Sequence, residues 1–129
     1  MKKVIVAGTR DFNNYELLKE KLDFYLQNFN KDEILIISGG ARGADNLAKQ
    51  YAQERNINFK EIPAEWDKHG KKAGPIRNEK MAKEGDYLVA FWDGKSRGTN
   101  NMIQLAQKYN IEVRIVNYHV ERWYLSNRY

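Results

Sequence analysis

The chain has 129 residues, of which 42% are hydrophobic and 30% charged, a composition that fits one domain with a single core and excludes an intrinsically disordered protein. No apolar run reaches the roughly 18 residues that cross a bilayer, and the absence of cysteine excludes disulfide bonds and thiolate metal sites. The formal charge of +5 favours an anionic partner. We therefore expect a cytoplasmic protein that contacts no membrane and needs neither a metal ion nor a cofactor.

Five segments are predicted to be strands, namely Lys3–Ala7, Glu33–Ser38, Asn58–Ile62, Tyr87–Trp92 and Glu112–Val116. The first, second and fourth are almost continuously apolar, as in strands buried on both faces, whereas the third and fifth alternate with charge, as in edge strands. Helical spacing lies between the strands. The pattern predicts an α/β, Rossmann-like three-layer sandwich with a five-stranded parallel sheet in the order 3-2-1-4-5.

Four helices are predicted between these strands, each with a start signal. Asn13 and Glu16 have the spacing of a capping box, and the second helix opens at Gly43. Pro75 suits the first position of the third helix, and Thr99 can cap the fourth. The segment AEWDKHGKKAG between the third strand and third helix is predicted to be a loop.

Three loops leave the central strands, and each combines glycine with one arginine. They are GTRDFNN, SGGARGAD and WDGKSRGTNN, with Arg10, Arg42 and Arg97, while Arg77 follows Pro75 on the next helix. These four are half of the eight arginines. A guanidinium binds phosphate through a planar fork, and parallel sheets bind ligands at the carboxyl ends of their strands. The predicted ligand-binding residues are Gly8, Thr9, Arg10, Ser38, Gly39, Gly40, Arg42, Gly43, Arg77, Asp93, Gly94, Arg97, Gly98 and Thr99.

The glycines have two readings, which the sequence leaves open. They can admit a ligand to helix N-termini, or they can simply form tight turns between strands and helices. Trp66 is likewise either a platform for base stacking or a cover for the end of the sheet. Neither the dinucleotide fingerprint nor the P-loop motif is present.

The motifs GTRDF, SGGARGAD, AEWDKHGKKAGPIRNEKM and FWDGKSRGT resemble the YpsA-related branch of the SLOG superfamily, akin to LOG-type and DprA domains, over about residues 3 to 117. The resemblance implies a Rossmann-like domain that binds nucleotides or their derivatives. It also aligns Gly39-Gly40 and Gly43 with the first phosphate loop of LOG-type enzymes, which cleave N-glycosidic bonds. Arg77 and Gly98-Thr99 then match two further LOG-type motifs.

The sequence departs from the LOG-type pattern at Met102, which stands where those enzymes have a glutamate. Cleavage of an N-glycosidic bond calls for a carboxylate. Asp45 is the preferred candidate, although an aspartate at a helix N-terminus also stabilises the helix dipole. The other carboxylates near the loops are Asp11, Asp93 and Glu79.

We therefore expect a nucleotide-binding domain over residues 1–117 and an aromatic tail over residues 118–129, which includes Trp123 and Tyr124 and packs on the domain or on another copy in a homo-oligomer. Its expected partner is a nucleotide or a nucleotide-derived small molecule. The alternatives are a phosphoribohydrolase-like enzyme and a DprA-like protein that binds nucleic acid. The last is not favoured, because the arginines gather in loops and no nucleic-acid motif is present.

Overall fold

The computed structural model describes residues 1–118 and contains one five-stranded sheet. Its strands are β1 (Lys2–Gly8), β2 (Ile34–Ser38), β3 (Asn58–Glu61), β4 (Tyr87–Trp92) and β5 (Glu112–Asn117). All pairings are parallel and the order is β3-β2-β1-β4-β5. The predicted fold class and strand order are confirmed, and the strand bounds differ from the prediction by at most one residue.

Five α-helices accompany the strands in residues 1–118: α1 (Tyr15–Tyr25), α2 (Ala44–Arg55), α3 (Trp66–His69), α4 (Ala73–Glu84) and α5 (Arg97–Lys108). They divide the core into two clusters. On one face of the sheet, α1 and α2 bury side chains such as Leu18 and Tyr51. On the other, α4 and α5 bury Met81 and Ile103. The short α3 lies in the segment predicted to be a loop, because four residues are too few to show helical spacing.

The first helix starts one residue later than predicted. Asn14, and not Asn13, is the N-cap, and its side chain accepts a hydrogen bond of 3.1 Å from the backbone N–H of Leu17. Two consecutive asparagines are equally good caps, so the residue type could not choose between them.

The starts of α4 and α5 also differ from the prediction. Since α4 begins at Ala73, Pro75 is its third residue, where a proline costs no hydrogen bond because the N–H groups of the first turn have no partner in the helix. Ser96 caps α5, its hydroxyl oxygen accepting from the N–H of Thr99 at 3.5 Å. Thr99 therefore lies within the first turn of α5.

The end of the described chain packs back on the sheet. Tyr118 is buried against Phe12, and its hydroxyl donates to the Asp11 carboxylate at 3.2 Å. The remainder of the predicted aromatic tail, residues 119–129, lies outside the described residues. Among residues 1–118, no helix is both long and apolar enough to cross a membrane.

Candidate functional site

The carboxyl ends of β1, β2 and β4 meet at one edge of the sheet, where glycines bring the loops together. A Cβ on Gly8 would lie 2.5 Å from Cβ of Ala44 and 2.6 Å from the carbonyl oxygen of Phe91. Gly43 has a φ of 78°, and a Cβ there would lie 2.3 Å from the carbonyl oxygen of Thr9. These two glycines are therefore required by packing, which seats the N-terminus of α2 beside the loop after β1.

Three adjoining cavities, together called the crevice, open at this edge, and Arg10 lines all of them. Their volumes are about 420, 400 and 420 Å³. The inner cavity is lined by Gly8, Asp45, Pro75, Met81, Arg97 and Met102 among others, the outer cavity by Gly39, Gly40, Arg42, Pro63 and Ala64, and the rim cavity by Thr9, Asp11, Arg42, Ser96 and Gly98.

The four predicted arginines lie at the crevice in two different states. Arg10, Arg42 and Arg97 form no hydrogen bond or ion pair with any residue of the described range 1–118. Arg77 instead donates to the carbonyl oxygen of Gly39 at 2.7 Å and to Oδ1 of Asn78 at 2.9 Å. Within residues 1–118, three of the guanidinium groups thus keep N–H donors without a hydrogen-bond acceptor, while the fourth holds the loop after β2 in place.

Asp45 is the buried carboxylate of the inner cavity, with 6% of its surface exposed. Its Oδ2 accepts a hydrogen bond of 3.2 Å from the N–H of Ala41. Burial raises the pKa of Asp45 to about 6, although the Ala41 N–H and the positive charges of Arg77 and Arg10 act in the opposite direction. The carboxyl can therefore gain or lose a proton near neutral pH.

Gly39 allows Asp45 and Arg77 to approach each other. A Cβ at this position would lie 2.2 Å from Nη1 of Arg77 and 2.9 Å from Oδ2 of Asp45. Burial and the neighbouring Arg10 charge lower the pKa of Arg77, whereas Asp45 raises it. The wall of the crevice thus carries more positive charge than its carboxylate compensates.

Trp66 begins α3 and lies between the inner and outer cavities, both of which it lines. Its side chain is 51% exposed, so it does not belong to the core. The Arg10 guanidinium lies 5.9 Å from the centre of its ring. The position suits stacking on a flat ligand, with the guanidinium held at the ring face.

Other predicted residues support the loops without lining any of the three cavities. The Ser38 hydroxyl donates to the backbone oxygen of Asp45 at 3.1 Å and accepts from the N–H of Gly40 at 3.3 Å. Oδ1 of Asp93 accepts from the N–H groups of Lys95 and Ser96, both at 2.8 Å. Gly43, Gly94 and Glu79 also line none of the three cavities, and Glu79 accepts a hydrogen bond from Tyr109.

Sequence reasoning missed Asn78 and Asn101, which join α4 to α5 at the inner cavity. Nδ2 of Asn78 donates to Oδ1 of Asn101 at 3.0 Å and to the carbonyl oxygen of Gly98 at 3.3 Å. A signal was present, because Asn78 precedes Met81 and Ala82 by three and four residues and so occupies a core position of the helix. A buried polar residue in an apolar stripe indicates such a network.

The inner cavity has an apolar floor where LOG-type enzymes have their glutamate, since Met102 is 1% exposed and lines it. Among residues 1–118, no three His, Asp or Glu side chains lie close enough together to bind a metal ion. The chemistry of the crevice is therefore that of arginines, backbone N–H groups and one buried carboxyl.

Comparison with known proteins gives a sequence family. The family model described as "YspA, cpYpsA-related SLOG family" matches residues 2–69. The Gene 61 protein of Mycobacterium phage D29 is 35% identical over 119 residues, which are 88% of this chain and 94% of that protein. The predicted relation to the YpsA-related branch is confirmed.

Solved structures give the same fold at lower identity. DNA processing protein A (DprA) of Streptococcus pneumoniae has a TM-score of 0.71 and 19% identity, with 89% of this chain and 50% of that chain covered. The Helicobacter pylori DprA, described for its single-stranded DNA binding mode, has a TM-score of 0.62 and 23% identity, covering 88% of this chain and 64% of that one. A structural genomics target, TM1055, has a TM-score of 0.64 and 22% identity, covering 88% and 72%. This chain thus spans half to two thirds of the two DprA chains.

Proposed function

The chain belongs to the YspA, cpYpsA-related SLOG family, and from that membership we propose that it binds a nucleotide or a nucleotide-derived phosphate in the crevice. The observation that carries the proposal is the state of Arg10, Arg42 and Arg97, which line the crevice and form no hydrogen bond or ion pair among residues 1–118. A guanidinium beside a cavity without a carboxylate partner offers its N–H groups to a phosphate.

The helix N-termini favour the same ligand. The first turn of α5 lies at the crevice, as does the loop that leads into α2, and free N–H groups and the helix dipole attract anions there. Gly98 supports this reading, because a Cβ there would meet nothing within 4 Å and its φ is not in the left-handed region. Packing does not require a glycine at position 98. A ligand that approaches the backbone closely would require one.

A thermal-shift screen tests the proposal with nucleoside mono-, di- and triphosphates and dinucleotides. A ligand at 100 times its dissociation constant stabilises the fold by about 2.7 kcal/mol, or roughly 10 °C for a domain of this size. Arg42→Ala should abolish the shift. Arg114→Ala, which removes an arginine of β5 that hydrogen-bonds Val113 outside the crevice, is the matched control and should keep it. No shift with any nucleotide would contradict the proposal.

A second candidate function is hydrolysis of the N-glycosidic bond, favoured by Asp45. Its carboxyl lies in the inner cavity, and a pKa of about 6 lets it accept a proton from water. The water oxygen would bond to C1′ of the sugar, the C1′–N bond would break, and the base nitrogen would take up the proton. Incubation with nucleotides should then release free base and phosphoribose, and Asp45→Asn should stop release while binding persists.

Binding of nucleic acid is the remaining alternative, and it predicts a different measurement. The affinity for single-stranded DNA would fall with salt, with a logarithmic slope of about 0.7 per phosphate contact. Saturable binding of a mononucleotide, with little dependence on salt, would favour the small-molecule function instead.

A further inference from the structure

We infer that the ligand carries an organic group on each side of its phosphate, as a phosphodiester or a pyrophosphate does, and is not a simple mononucleotide. The inference rests on the proposed function and narrows its substrate class. Its basis is that the inner and outer cavities share one wall, made of Arg10, Ala41, Trp66 and Arg77. A phosphate bound at that wall faces a cavity on each side.

The shared wall is suited to the anionic centre of such a ligand. Arg10 forms no hydrogen bond or ion pair within the described part of the chain. Burial is the main cause that lowers the pKa of Arg77, and the positive charge of Arg10 acts in the same direction. Asp45 compensates one of these two cations and accepts a hydrogen bond from Ala41. An anion at the wall would compensate the other.

The two cavities differ in chemistry, which suits two different groups. The inner cavity of about 420 Å³ combines apolar Met81 and Met102 with the amide of Asn101, a surface that accepts a flat base with polar edges. The outer cavity of about 400 Å³ adds Arg42 to the shared wall, and the rest of its lining is small or apolar, as at Gly40 and Ala64. It accepts a sugar or a second nucleoside. A mononucleotide would occupy one cavity and leave the other filled with water.

Two leucine substitutions separate the cavities. Gly74 lines only the inner cavity, and a Cβ there would lie at an ordinary contact distance of 3.6 Å from Cη2 of Trp66, so the side chain of Gly74→Leu would enter that cavity. Ala64 lines only the outer cavity, so the longer side chain of Ala64→Leu would occupy part of it. Should Ala64→Leu fail to fold, Pro63→Leu reaches the same cavity from an exposed position.

Calorimetric titration with three adenosine probes tests the inference: the monophosphate, the dinucleotide joined by one phosphodiester, and two adenosines joined by pyrophosphate. The guanosine, cytidine and uridine counterparts are titrated alongside. We expect at least one two-armed probe, the diester or the pyrophosphate, to bind wild type about tenfold or more tightly than the monophosphate, a difference of about 1.4 kcal/mol, because its second group would fill the cavity that the monophosphate leaves to water. Whichever of the two dinucleotide probes binds more tightly identifies the linkage as a diester or a pyrophosphate.

The variants give the decisive contrast. Ala64→Leu should remove the advantage of the two-armed probe and leave the monophosphate within about twofold, whereas Gly74→Leu should weaken every probe about tenfold or more. Equal affinity of all three probes for wild type, or equal losses for all three in Ala64→Leu, would overturn the inference and leave nucleotide binding in place. Failure of every nucleotide to bind would overturn both.

Discussion

An aspartate and an arginine lie at each end of α2, in opposite electrostatic situations, although the aspartate at the C-terminal end, Asp23, belongs to α1. At its C-terminal end, Arg55 donates to the two carboxylate oxygens of Asp23 at 3.2 and 2.8 Å, and these hydrogen bonds lower the pKa of Asp23. At its N-terminal end, burial raises the pKa of Asp45, and Arg42 just before the helix has no partner in the range 1–118. An arginine paired within the fold contributes to stability, whereas an unpaired one beside a cavity is available to a ligand.

The largest expected effect concerns the buried carboxyl. The pKa of Asp45 is about 6 in the folded state against an ordinary value of 3.8, so the folded state holds a proton that the unfolded chain releases. This contribution to stability is fully present below about pH 4 and is lost as the pH rises through 6. Relative to Asp45→Asn, wild type should lose up to about 3 kcal/mol of unfolding free energy between pH 4 and 7.

Denaturant titrations of both proteins at pH 4, 5, 6 and 7 measure that difference. Asp23→Asn is the matched comparison beside the other end of α2; measured also below pH 4, it should behave with the opposite sign. Because the pKa of Asp23 is lowered from its ordinary 3.8, its contribution to stability is present at neutral pH and is lost as the pH falls below about 4. Parallel stability curves for wild type and Asp45→Asn would mean that the carboxyl is solvated in the fold.

The next effect concerns the unpaired arginines of the crevice. Arg97→Ala should weaken nucleotide binding about tenfold to hundredfold, since a hydrogen bond to a charged group contributes about 1.5–3 kcal/mol. The unfolding free energy should change by less than about 0.5 kcal/mol, because the side chain is exposed and without a partner among residues 1–118. Titration calorimetry and denaturation of the same preparation measure both quantities, and a stability loss without an affinity loss would reverse the assignment.

Arg55→Ala should lower the unfolding free energy and leave nucleotide affinity unchanged, which is the reverse of Arg97→Ala, and the change should be smaller. The Arg55–Asp23 pair is 40% and 46% exposed, so its removal should cost at most about 1 kcal/mol of unfolding free energy. Nucleotide affinity should stay within error of wild type, since this pair lies at the far end of α2 from the crevice. A drop in affinity would show that the two ends of the helix are coupled.

The difference between these arginines marks the limit of sequence reasoning. The strand order could be predicted because continuous apolar runs such as VIVA belong to central strands and mixed ones such as NFKEI to edges. The pairing state could not be predicted, since Asp23 and Arg55 are 32 residues apart and meet only when α1 packs on α2. The sequence singles out Arg42 by its glycine-rich loop, but it shows for neither Arg42 nor Arg55 whether the guanidinium has a partner.

Glycine shows the same limit, because the loop glycines had two readings and the structure divides them. Gly8 and Gly43 are required by close backbone approach, and Gly39 by the side chains of Arg77 and Asp45. Gly98 is not required by any contact. Composition gives a glycine-rich loop in each case, and only the distances to neighbouring atoms separate a glycine needed by the fold from one that leaves room for a ligand.

The smallest expected change in unfolding free energy concerns Gly98, the glycine that no contact requires. Gly98→Ala should change the unfolding free energy by less than about 1 kcal/mol, in the stabilising direction, because alanine is the better helix former and Gly98 is the second residue of α5. The added methyl group enters open space at the inner and rim cavities, so a phosphate lying against the start of α5 would be displaced and nucleotide affinity would fall. Denaturation and calorimetry measure the two effects. A variant that is more stable and binds equally well would remove α5 from the site and leave Arg10 and Arg42 as its anion-binding groups.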